Sequence, residues 1–366
     1  MSFELRPYRR PDFSQERFVN APEAVFIAAE KDFVAPDNYH ATAIYPEYFK
    51  IGGVWHLAPE SRMDCVVILA PDGTLAVKEF RNIKKGDAVC VCRTEDGSEG
   101  VYVHSTGFYD AKSGADTFSF RQGRSRETAF SVDYNSLYEL LEHDRLHGNI
   151  VWVLGPAVAF DFDSRKAFAK LIENGYVHAL MAGNALATHD LEAAYKHTAL
   201  GQHIYTQASE HNGHYNHIDT INRVRRSGSI PAFIEDERIS DGIMYSCVKN
   251  SVPFVLCGSI RDDGPLPEVY ADVYAGQEAM RGCIRKATTV ITMATALHSI
   301  ATGNMTPSFR VMPDGTVREV YFYCVDVAEF AVNKLADRGS LAAKGIVTNA
   351  QDFVVNVAKG LGLKLD

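Results

Sequence analysis

The stretch NIVWVLGPAVAFDFDSRKAFAKLIENGYVHALMAGN, residues 149–184, decides the fold of this chain. Two short runs, VWVL and ALMA, are apolar at every position, and the segment SRKAFAKLIENG between them has the apolar spacing of a helix. Strands that are apolar throughout are typical of parallel sheets covered by helices on both faces. The stretch therefore predicts a strand, a helix and a second, parallel strand, with a glycine at the carboxyl end of each strand.

This alternation of apolar strands and helices extends over residues 126–366. Helices are also predicted over 135–148 and 185–201, on either side of the deciding stretch. Further apolar strands are predicted in VPFVLCGS (252–259), TTVITMATA (288–296), EVYFYCVD (319–326) and AKGIVTN (343–349). The C-terminal part of the chain is therefore predicted to be an α/β domain with a parallel sheet.

The sequence before this domain has a different pattern. Residues 31–125 contain short β-type runs, such as DCVVILA and TLAVKEF, separated by turn signals that include Pro71-Asp72-Gly73. This spacing predicts a small antiparallel β-domain, and the polar stretch 110–130 marks its boundary with the α/β domain. Residues 1–30 are predicted to be an arm whose prolines interrupt any regular element.

Composition narrows the class of partner. The 366 residues carry a net charge of −9, so we expect no binding of nucleic acid or of an anionic membrane. No apolar run approaches the ~20 residues that a membrane span requires, and the first residues lack the apolar centre of a secretory leader. The seven cysteines fall mostly in apolar segments, which favours reduced thiols and a cytoplasmic location. We expect a small-molecule ligand.

Glycine recurs at the predicted carboxyl ends of the parallel strands. Ligands bind at this edge of such sheets, where glycine lets the backbone approach a ligand and a helix N-terminus can bind phosphate. One glycine alone is more often a turn or a helix cap, but the recurrence favours a dinucleotide site. No G-x-G-x-x-G motif follows any strand, so the loops must use another pattern. The predicted cofactor-binding residues are Gly183, Asn184, Ala185, Gly258, Ser259, Ile260, Gly303, Asn304 and Asp326.

Three of these residues have more specific predicted roles. Asn184 and Asn304 each follow a glycine at a strand or loop end, which suits contact with the nicotinamide amide or the pyrophosphate. Asp326 closes the strand VYFYCVD and can accept both ribose hydroxyls of an adenosine. The alternative role for Asp326 is that of an N-cap for a helix starting near Val327.

The segment HNGHYNH, residues 211–217, contains three histidines at three-residue spacing. A zinc site needs a fuller ligand set, and no cysteine pair or acid lies nearby at ligand spacing. We therefore predict no metal. His214 and His217 are instead assigned to capping and substrate contact at the start of the helix that carries Ile221.

Five long motifs in this order carry a family resemblance. They are MAGNALATHDLE (181–192), GHYNHIDTINRVRRSGSI (213–230), GIMYSCVKNSVPFVLCGSIRDDGPLPE (242–268), ATALHSIATGNMTPS (294–308) and CVDVAEFAVNKLADRGS (324–340). With them, the chain resembles the archaeal-type ornithine cyclodeaminases from about Asp37 to its end. That family shares its region with the C-terminal part of bifunctional arginine dihydrolase/ornithine cyclodeaminases, and was formerly linked to lysine-oxoglutarate reductase/saccharopine dehydrogenase.

The resemblance implies a Rossmann-like domain, similar in fold to deoxyhypusine synthase, that holds NAD without the usual glycine motif. It also implies the reaction. Hydride leaves Cα of L-ornithine, the δ-amine closes on the resulting imine, ammonia departs, and NADH reduces the cyclic imine to L-proline, so NAD is recycled. A homo-oligomer, either a dimer or a tetramer, is implied as well. The alternative is an NAD-dependent amino-acid or opine-type dehydrogenase, which would accumulate NADH.

Three residues are the catalytic candidates for this reaction. Hydride removal requires a neutral α-amine, so a base must accept a proton. Asp262 and Asp263 supply carboxylates for the α- and δ-amino groups, and the sequence does not decide which acid serves which amine. Alternatively, Asp263 caps the turn into Gly264 and only Asp262 faces the pocket. His298 is the third candidate because imidazole titrates near neutral pH; a core histidine bonded to the backbone is the other interpretation.

The predicted substrate contacts are Arg62, His217, Arg223 and Lys249. An arginine can clamp a carboxylate with two parallel hydrogen bonds, and the sequence does not rank Arg62, Arg223 and Arg261 for this role. Lys249 could stabilise charge or form an imine, or it could be an exposed lysine at a helix end. Before the strand VYFYCVD, the residues Pro313-Asp314-Gly315 predict a hairpin turn that some relatives lack.

Overall fold

The computed structural model describes residues 4–108, 131–262, 264–329, 332 and 341–365, and the predicted boundary between residues 125 and 126 lies outside these ranges. One short helix, α1 (Glu16–Val19), opens the described chain. The strands that follow are β1 (Val25–Ala28), β2 (Glu47–Ile51), β3 (Val54–Leu57), β4 (Glu60–Ser61), β5 (Cys65–Leu69), β6 (Leu75–Glu79), β7 (Ala88–Val91) and β8 (Val101–Val103). They form two small antiparallel sheets, one in the order β1-β7-β5-β6 and the other in the order β3-β2-β8, while β4 pairs elsewhere.

The strands predicted for this N-terminal part are confirmed. The runs DCVVILA and TLAVKEF form β5 and β6, and Gly73 in the turn between them has a φ of 83°, which glycine adopts without strain. Residues 1–30, predicted to be an arm interrupted by prolines, contain two short regular elements, α1 and β1. Pro22 precedes β1 rather than interrupting it, so β1 can pair antiparallel with β7.

The rest of the described chain is richer in helix, as its apolar spacing predicted. Its helices are α2 (Ser131–His147), α3 (Phe162–Glu173), α4 (Asn184–Lys196), α5 (Asn216–Ser227), α6 (Ile230–Asp236), α7 (Ile243–Lys249), α8 (Val273–Ile284), α9 (Ala296–Met305) and α10 (Ala350–Gly360). Its strands are β9 (Ile150–Leu154), β10 (Ala179–Gly183), β11 (Thr198–Ala199), β12 (Gln202–His203), β13 (Phe254–Cys257), β14 (Val269–Tyr270), β15 (Thr289–Met293), β16 (Phe309–Val311), β17 (Val317–Glu319), β18 (Tyr321–Asp326) and β19 (Ala342–Val347). Among the helices in the described ranges, none combines the length and the apolar character that crossing a bilayer requires.

Seven of these strands form one parallel sheet in the order β14-β13-β10-β9-β15-β18-β19. The chain enters at the central strand β9, builds outward to the β14 edge, and then returns to β15 on the other side of β9. Every residue of β9 and β15 is buried, as the apolar runs predicted. The predicted α/β fold with a parallel sheet is confirmed. Sheets of this kind bind ligands where the strand order reverses, which here is between β9 and β15.

Helices cover both faces of this sheet. On one face, Trp152 of β9 packs with Phe168 of α3 and Phe353 of α10. On the other face, Val153 packs with Met280 of α8. Because successive residues of one strand point to opposite faces, the continuous apolar run of β9 supplies both cores.

A hairpin joins the parallel sheet to the N-terminal strands. The turn predicted at Pro313-Asp314-Gly315 is confirmed, since β16 and β17 pair antiparallel on either side of it. β16 also pairs with β4 of the N-terminal part. Arg318 of β17 donates to both carboxylate oxygens of Asp144 in α2, at 3.1 Å each. The hairpin therefore contacts both parts of the described chain.

Candidate active site

Two helices begin at the carboxyl edge of the sheet without a cap from their own N-cap residue. α4 starts directly after β10, and α9 starts shortly after β15. In the described chain, neither Gly183 before α4 nor Thr295 before α9 makes a side-chain capping bond. By contrast, Asp161 and Asp272 cap α3 and α8 through their carboxylates. First-turn N–H groups at a helix N-terminus bind anions such as a pyrophosphate, so α4 and α9 can present such groups to a ligand.

His298 lies in the first turn of α9, close to the end of β10. Its Nδ1 is 3.2 Å from the hydroxyl of Thr295. A Cβ atom added to Gly183 would lie only 3.0 Å from Cε1 of the His298 ring, so the imidazole sits directly beside this glycine. β10 and β15 are separated by β9. The ring therefore reaches across the switch point, and any side chain at residue 183 would displace it.

Asp262 supplies a negative charge close to this imidazole. Its carboxylate accepts the N–H of Ser259 at 2.8 Å, and its own N–H donates to the Ser259 carbonyl at 3.0 Å, which closes a turn after β13. Burial lowers the pKa of His298, and the charge of Asp262 partly offsets that effect. The imidazole is therefore mainly neutral at pH 7 and can accept a proton. Asp263, predicted as its catalytic neighbour, lies outside the described residues.

Asn184 anchors the loop that follows Asp262. Its side-chain oxygen accepts the buried N–H of Leu266 at 3.0 Å and the hydroxyl of Thr188 at 3.4 Å. The first residue of α4 thus holds a segment far away in the sequence against the end of β10. The sequence did not predict this contact, and the contact of Asn184 with the cofactor stays a prediction.

The other predicted cofactor residues after β10 and β13 form the rim of the same edge. Gly258 donates its N–H to the Tyr270 carbonyl at 2.9 Å, and a Cβ at residue 258 would lie 3.0 Å from that oxygen. Ser259 and Ile260 are exposed in the next turn, and Ala185 is half-buried in the first turn of α4. The structure therefore brings together the predicted residues of the β10 and β13 loops with Asp262 and His298.

Two predicted cofactor residues are placed differently. The prediction that Gly303 and Asn304 follow a strand or loop end is wrong, because residues 296–305 form the continuous helix α9. Asn304 lies in the last turn of that helix, and its main-chain carbonyl accepts a bond from Arg62. Asp326 does end β18, as predicted, and its carboxylate accepts the N–H of Ala328 at 2.8 Å. Because residues 327 and 328 are not helical, that bond closes a turn and does not cap a helix that starts at Val327, which was the alternative role.

The predicted substrate residues are not brought together. Arg62 pairs with Glu79 at 2.8 Å in the N-terminal part. Arg223 of α5 pairs with Glu237 and lies beside the last turn of α4, far along that helix from Asn184. Lys249 ends α7 just before β13, which places it at the amino end of that strand.

The fourth predicted substrate residue, His217, lies near the loop that follows β9. Its ring centroid is 6.1 Å from that of His189, which in turn lies 5.3 Å from the ring of Phe160 after β9. Among the described residues, the buried Nδ1 of His217 has no hydrogen-bond partner. Within the same ranges, no group of three or more His, Cys, Asp or Glu side chains is arranged to hold a metal ion.

The sequence reasoning missed three residues at this edge. Thr295 orients His298, and Leu297 and Val327 expose 72% and 69% of their surface although both are aliphatic. A signal was available, because both aliphatic residues directly follow the ends of predicted buried strands. Exposed apolar side chains at a ligand edge are suited to cover the flat faces of an aromatic ring.

A parallel sheet with a switch point and helix N-termini turned to its carboxyl edge defines a Rossmann-type nucleotide-binding enzyme. The sequence profile described as "Arginine dihydrolase ArgZ-like, C-terminal, Rossmann fold" matches residues 136–357. The ornithine cyclodeaminase of Methanocaldococcus jannaschii is 40% identical over 334 residues, which cover 89% of this chain and 75% of the relative. The chain belongs to the ornithine cyclodeaminase family, and the resemblance read from the five motifs is confirmed.

Two solved structures have the same fold. A conserved LOR/SDH protein of Methanococcus maripaludis has a TM-score of 0.83 and 34% identity, with 93% of this chain and 98% of that chain covered. AgrE, a bifunctional arginine dihydrolase/ornithine cyclodeaminase of Nostoc sp., was solved as a ternary complex with ornithine and NAD+. That complex has a TM-score of 0.58 and 33% identity, with 94% of this chain and 47% of AgrE covered.

Proposed function

We propose that this protein converts L-ornithine to L-proline and ammonia with NAD as a recycled cofactor. The observation that carries the proposal is its membership of a family whose relatives, 36–40% identical over most of the chain, are ornithine cyclodeaminases. The geometry agrees with that activity, because a neutral imidazole, a carboxylate and open helix N-termini converge at one edge of the sheet.

The described residues fit NAD. The first turns of α4 and α9 would face the phosphates, and Asp326 could exchange its bond to Ala328 for ribose hydroxyls. The exposed side chains of Ile260, Leu297 and Val327 would cover ring surfaces. Bound NAD would take a hydride from Cα of ornithine and return it to the cyclic imine, so that the overall reaction is redox-neutral.

The residues of the chain would supply the proton transfers. His298, mainly neutral at pH 7, accepts a proton from the α-ammonium group and so frees the amine for oxidation at Cα. The δ-ammonium group must first lose a proton to solvent, and the δ-amine then adds to Cα. Once that nitrogen has released its second proton to solvent, the imidazolium can return its own proton to the departing α-nitrogen, which leaves as ammonia. Asp262 stabilises the cationic form of His298 between these two steps.

A stoichiometric assay tests this proposal. Purified protein is incubated with L-ornithine and NAD at a small fraction of the ornithine concentration, and proline, ammonia and NADH are measured together. We expect proline and ammonia in equal amounts, far above the NAD supplied, and little standing NADH. Accumulating NADH would instead indicate an NAD-dependent amino-acid or opine-type dehydrogenase. NAD binding without product would indicate a regulatory protein.

We also propose that the protein works in the cytoplasm as a homo-oligomer and contributes to proline formation. All seven cysteines are free thiols, which suits a reducing compartment. Val25 and Ile27 of β1 and Val54 of β3 are more than 45% exposed on edge strands, and such side chains are often covered by another subunit. Light scattering after size-exclusion chromatography would measure the mass, and a monomer would contradict the proposed assembly.

A further inference from the structure

Arg62 connects the N-terminal strands to the helix that carries His298. Its Nη1 donates to the main-chain carbonyl of Asn304 at 2.9 Å, its Nη2 pairs with Glu79 at 2.8 Å, and its Nε donates to Sγ of Cys65 at 3.2 Å. The side chains of Arg62 and Glu79 are only 13% and 11% exposed. Because each guanidinium nitrogen already has a protein partner, the group is held in place rather than presented to a ligand.

The contact with Asn304 holds the C-terminal end of α9. The last carbonyls of a helix have no partner within the helix, and a cation there also interacts favourably with the helix dipole. The residues after α9 are tied to β4, since the N–H of Ser308 donates to the carbonyl of Ser61 at 2.9 Å and its hydroxyl lies between the carbonyls of Ser61 and Ile44. Two adjacent residues of the N-terminal part, Ser61 and Arg62, therefore fix this end of the helix.

Glu79 fixes the orientation of Arg62. The same carboxylate oxygen lies 2.8 Å from Nη2 of Arg62 and 2.8 Å from Nε of Arg281 in α8. Arg281 is almost fully buried, and its side chain also pairs with Glu278 at 3.0 Å. An arginine fork that meets a carboxylate and a carbonyl at once has little freedom to rotate. The end of β6 is thereby linked to both α8 and α9.

We propose that Arg62 is a positioning residue that keeps His298 beside Gly183 by holding the last turn of α9 on the N-terminal strands. His298 precedes Asn304 by six residues, which is about 9 Å along the helix axis. A helix of ten residues is held together by its internal hydrogen bonds, so a shift at its C-terminal end moves the imidazole as well. The inference deepens the proposed function and rests on it for the kinetic part of its test.

The test compares three variants of the full-length protein. Arg62→Ala removes the contacts to Glu79 and Asn304, and Arg62→Lys keeps one charged donor that cannot span both partners. Arg285→Ala is the control. Like Arg62, Arg285 connects the N-terminal strands to the α/β part, since it pairs with Glu60 of β4 at 3.3 Å, but it follows α8 rather than α9. If the alanine variant at residue 62 does not fold, the lysine variant carries the test.

The first measurement is independent of turnover. Nuclear magnetic resonance of the protein with isotope-labelled histidine gives the titration of His298, which is assigned by its absence in His298→Asn. In the described residues, the charge that acts on this imidazole is Asp262. Loosening α9 would expose the His298 ring to water, and so reduce the burial that lowers its pKa. We expect the pKa of His298 to move from its lowered value towards 6.5 in the Arg62 variants and to stay unchanged in Arg285→Ala.

The second measurement is steady-state kinetics with ornithine. A displacement of a catalytic group by about 1 Å can cost about 100-fold in rate. We therefore expect kcat to fall by about 10- to 100-fold in Arg62→Ala and less in Arg62→Lys, with KM for ornithine little changed. A loss confined to KM would instead identify Arg62 as a substrate ligand and overturn the proposal.

The two measurements separate the possible failures. A wild-type protein that forms no proline would refute the proposed function, while the histidine titration would still test the contact. An unchanged His298 titration in both Arg62 variants would overturn the positioning role even if turnover were normal in the wild type. An equal change of the His298 titration in Arg285→Ala would also overturn the positioning role. It would show that losing any contact between the N-terminal strands and the α/β part moves His298, and not the contact to α9 in particular.

Discussion

At the scale of single residues, His298 is the group on which the proposed chemistry depends most. It lies beside Gly183 and near Asp262, and a general base of this kind contributes about 10²- to 10⁴-fold to rate. We expect His298→Asn to lose about that factor in kcat while NAD still binds. The exposed His211 provides a matched control, since His211→Asn should behave as the wild type. Near-normal turnover of His298→Asn would assign the proton transfer to another group.

The environment of His298 also predicts a pH dependence. Burial lowers its pKa below 6.5, and the charge of Asp262 opposes that shift because it favours the imidazolium. The neutral ring is the base, so kcat/KM should fall as the pH falls through this lowered pKa. The unfolded chain binds the same proton at higher pH, so the folded state should also lose stability as the pH falls below about 6.5.

The sign of the Asp262 effect can be measured directly. Asp262→Asn removes the charge that opposes the effect of burial, so the pKa of His298 should fall further. The histidine titration of this variant by nuclear magnetic resonance should therefore move to lower pH. A shift to higher pH would contradict the geometry, since it would mean that Asp262 does not stabilise the imidazolium.

At the scale of elements, Asn184 joins the start of α4 to the loop after Asp262. We expect Asn184→Ala to cost about 1–3 kcal/mol of unfolding free energy, because the buried N–H of Leu266 loses its acceptor. Asn184→Asp keeps the acceptor oxygen and should retain most of that stability. Both variants lose the amide donor of Asn184, and Asn184→Asp also adds a negative charge. If Asn184 contacts the cofactor, the affinity for NAD should therefore fall in both variants. Urea unfolding and NAD titration of the two variants separate these roles.

A loss of stability as large in Asn184→Asp as in Asn184→Ala would show that the bond to Leu266 contributes little. Unchanged NAD affinity in both variants would limit Asn184 to its structural contact. The pair of variants thus distinguishes the predicted role of Asn184 from the observed one.

The elements themselves were largely predictable from the sequence, because strand and helix patterns are local. The runs VWVL and ALMA gave β9 and β10, and the turn at Pro313-Asp314-Gly315 gave the hairpin. Gly303 and Asn304 were misplaced because both residue types are common in turns and weak in helices. In α9 Gly303 is buried instead, and tertiary context overrides its low helix propensity.

At the scale of the whole molecule, the contacts that unite the two parts were not predictable. Arg62 meets a carbonyl 242 residues further along the chain, and no local pattern carries that information. Arg62, Glu79 and Arg281 are ordinary charged residues in the sequence, and only the fold joins them in one ion-pair network centred on Glu79. The convergence of Asp262 and His298 could be expected from strand order, because both follow strands of one parallel sheet. The role of Arg62 could not be expected, because its contact to α9 depends on how the N-terminal strands pack on that helix.

The contact between Asp144 and Arg318 provides a test of how far the two parts fold together. Asp144 is fully buried and accepts the hydroxyls of Thr288 and Thr289 at 2.6 and 2.8 Å, besides both guanidinium bonds. Burial alone would raise the pKa of Asp144, but Arg318 and these hydrogen bonds hold it below its ordinary value. The contact therefore stabilises the folded state above pH 3.8, and this stabilisation is lost as the pH falls through the lowered pKa.

We expect Asp144→Ala to cost about 3–5 kcal/mol, because it leaves Arg318 buried without its partner. The double variant Asp144→Ala with Arg318→Met should recover part of that loss, since it no longer buries an unpaired charge. Urea unfolding of the single and double variants measures both effects. The hairpin that carries Arg318 also pairs with β4, so the N-terminal strands and the parallel sheet should lose stability together. Separate transitions, with only the parallel sheet shifted, would mean that the hairpin does not couple them.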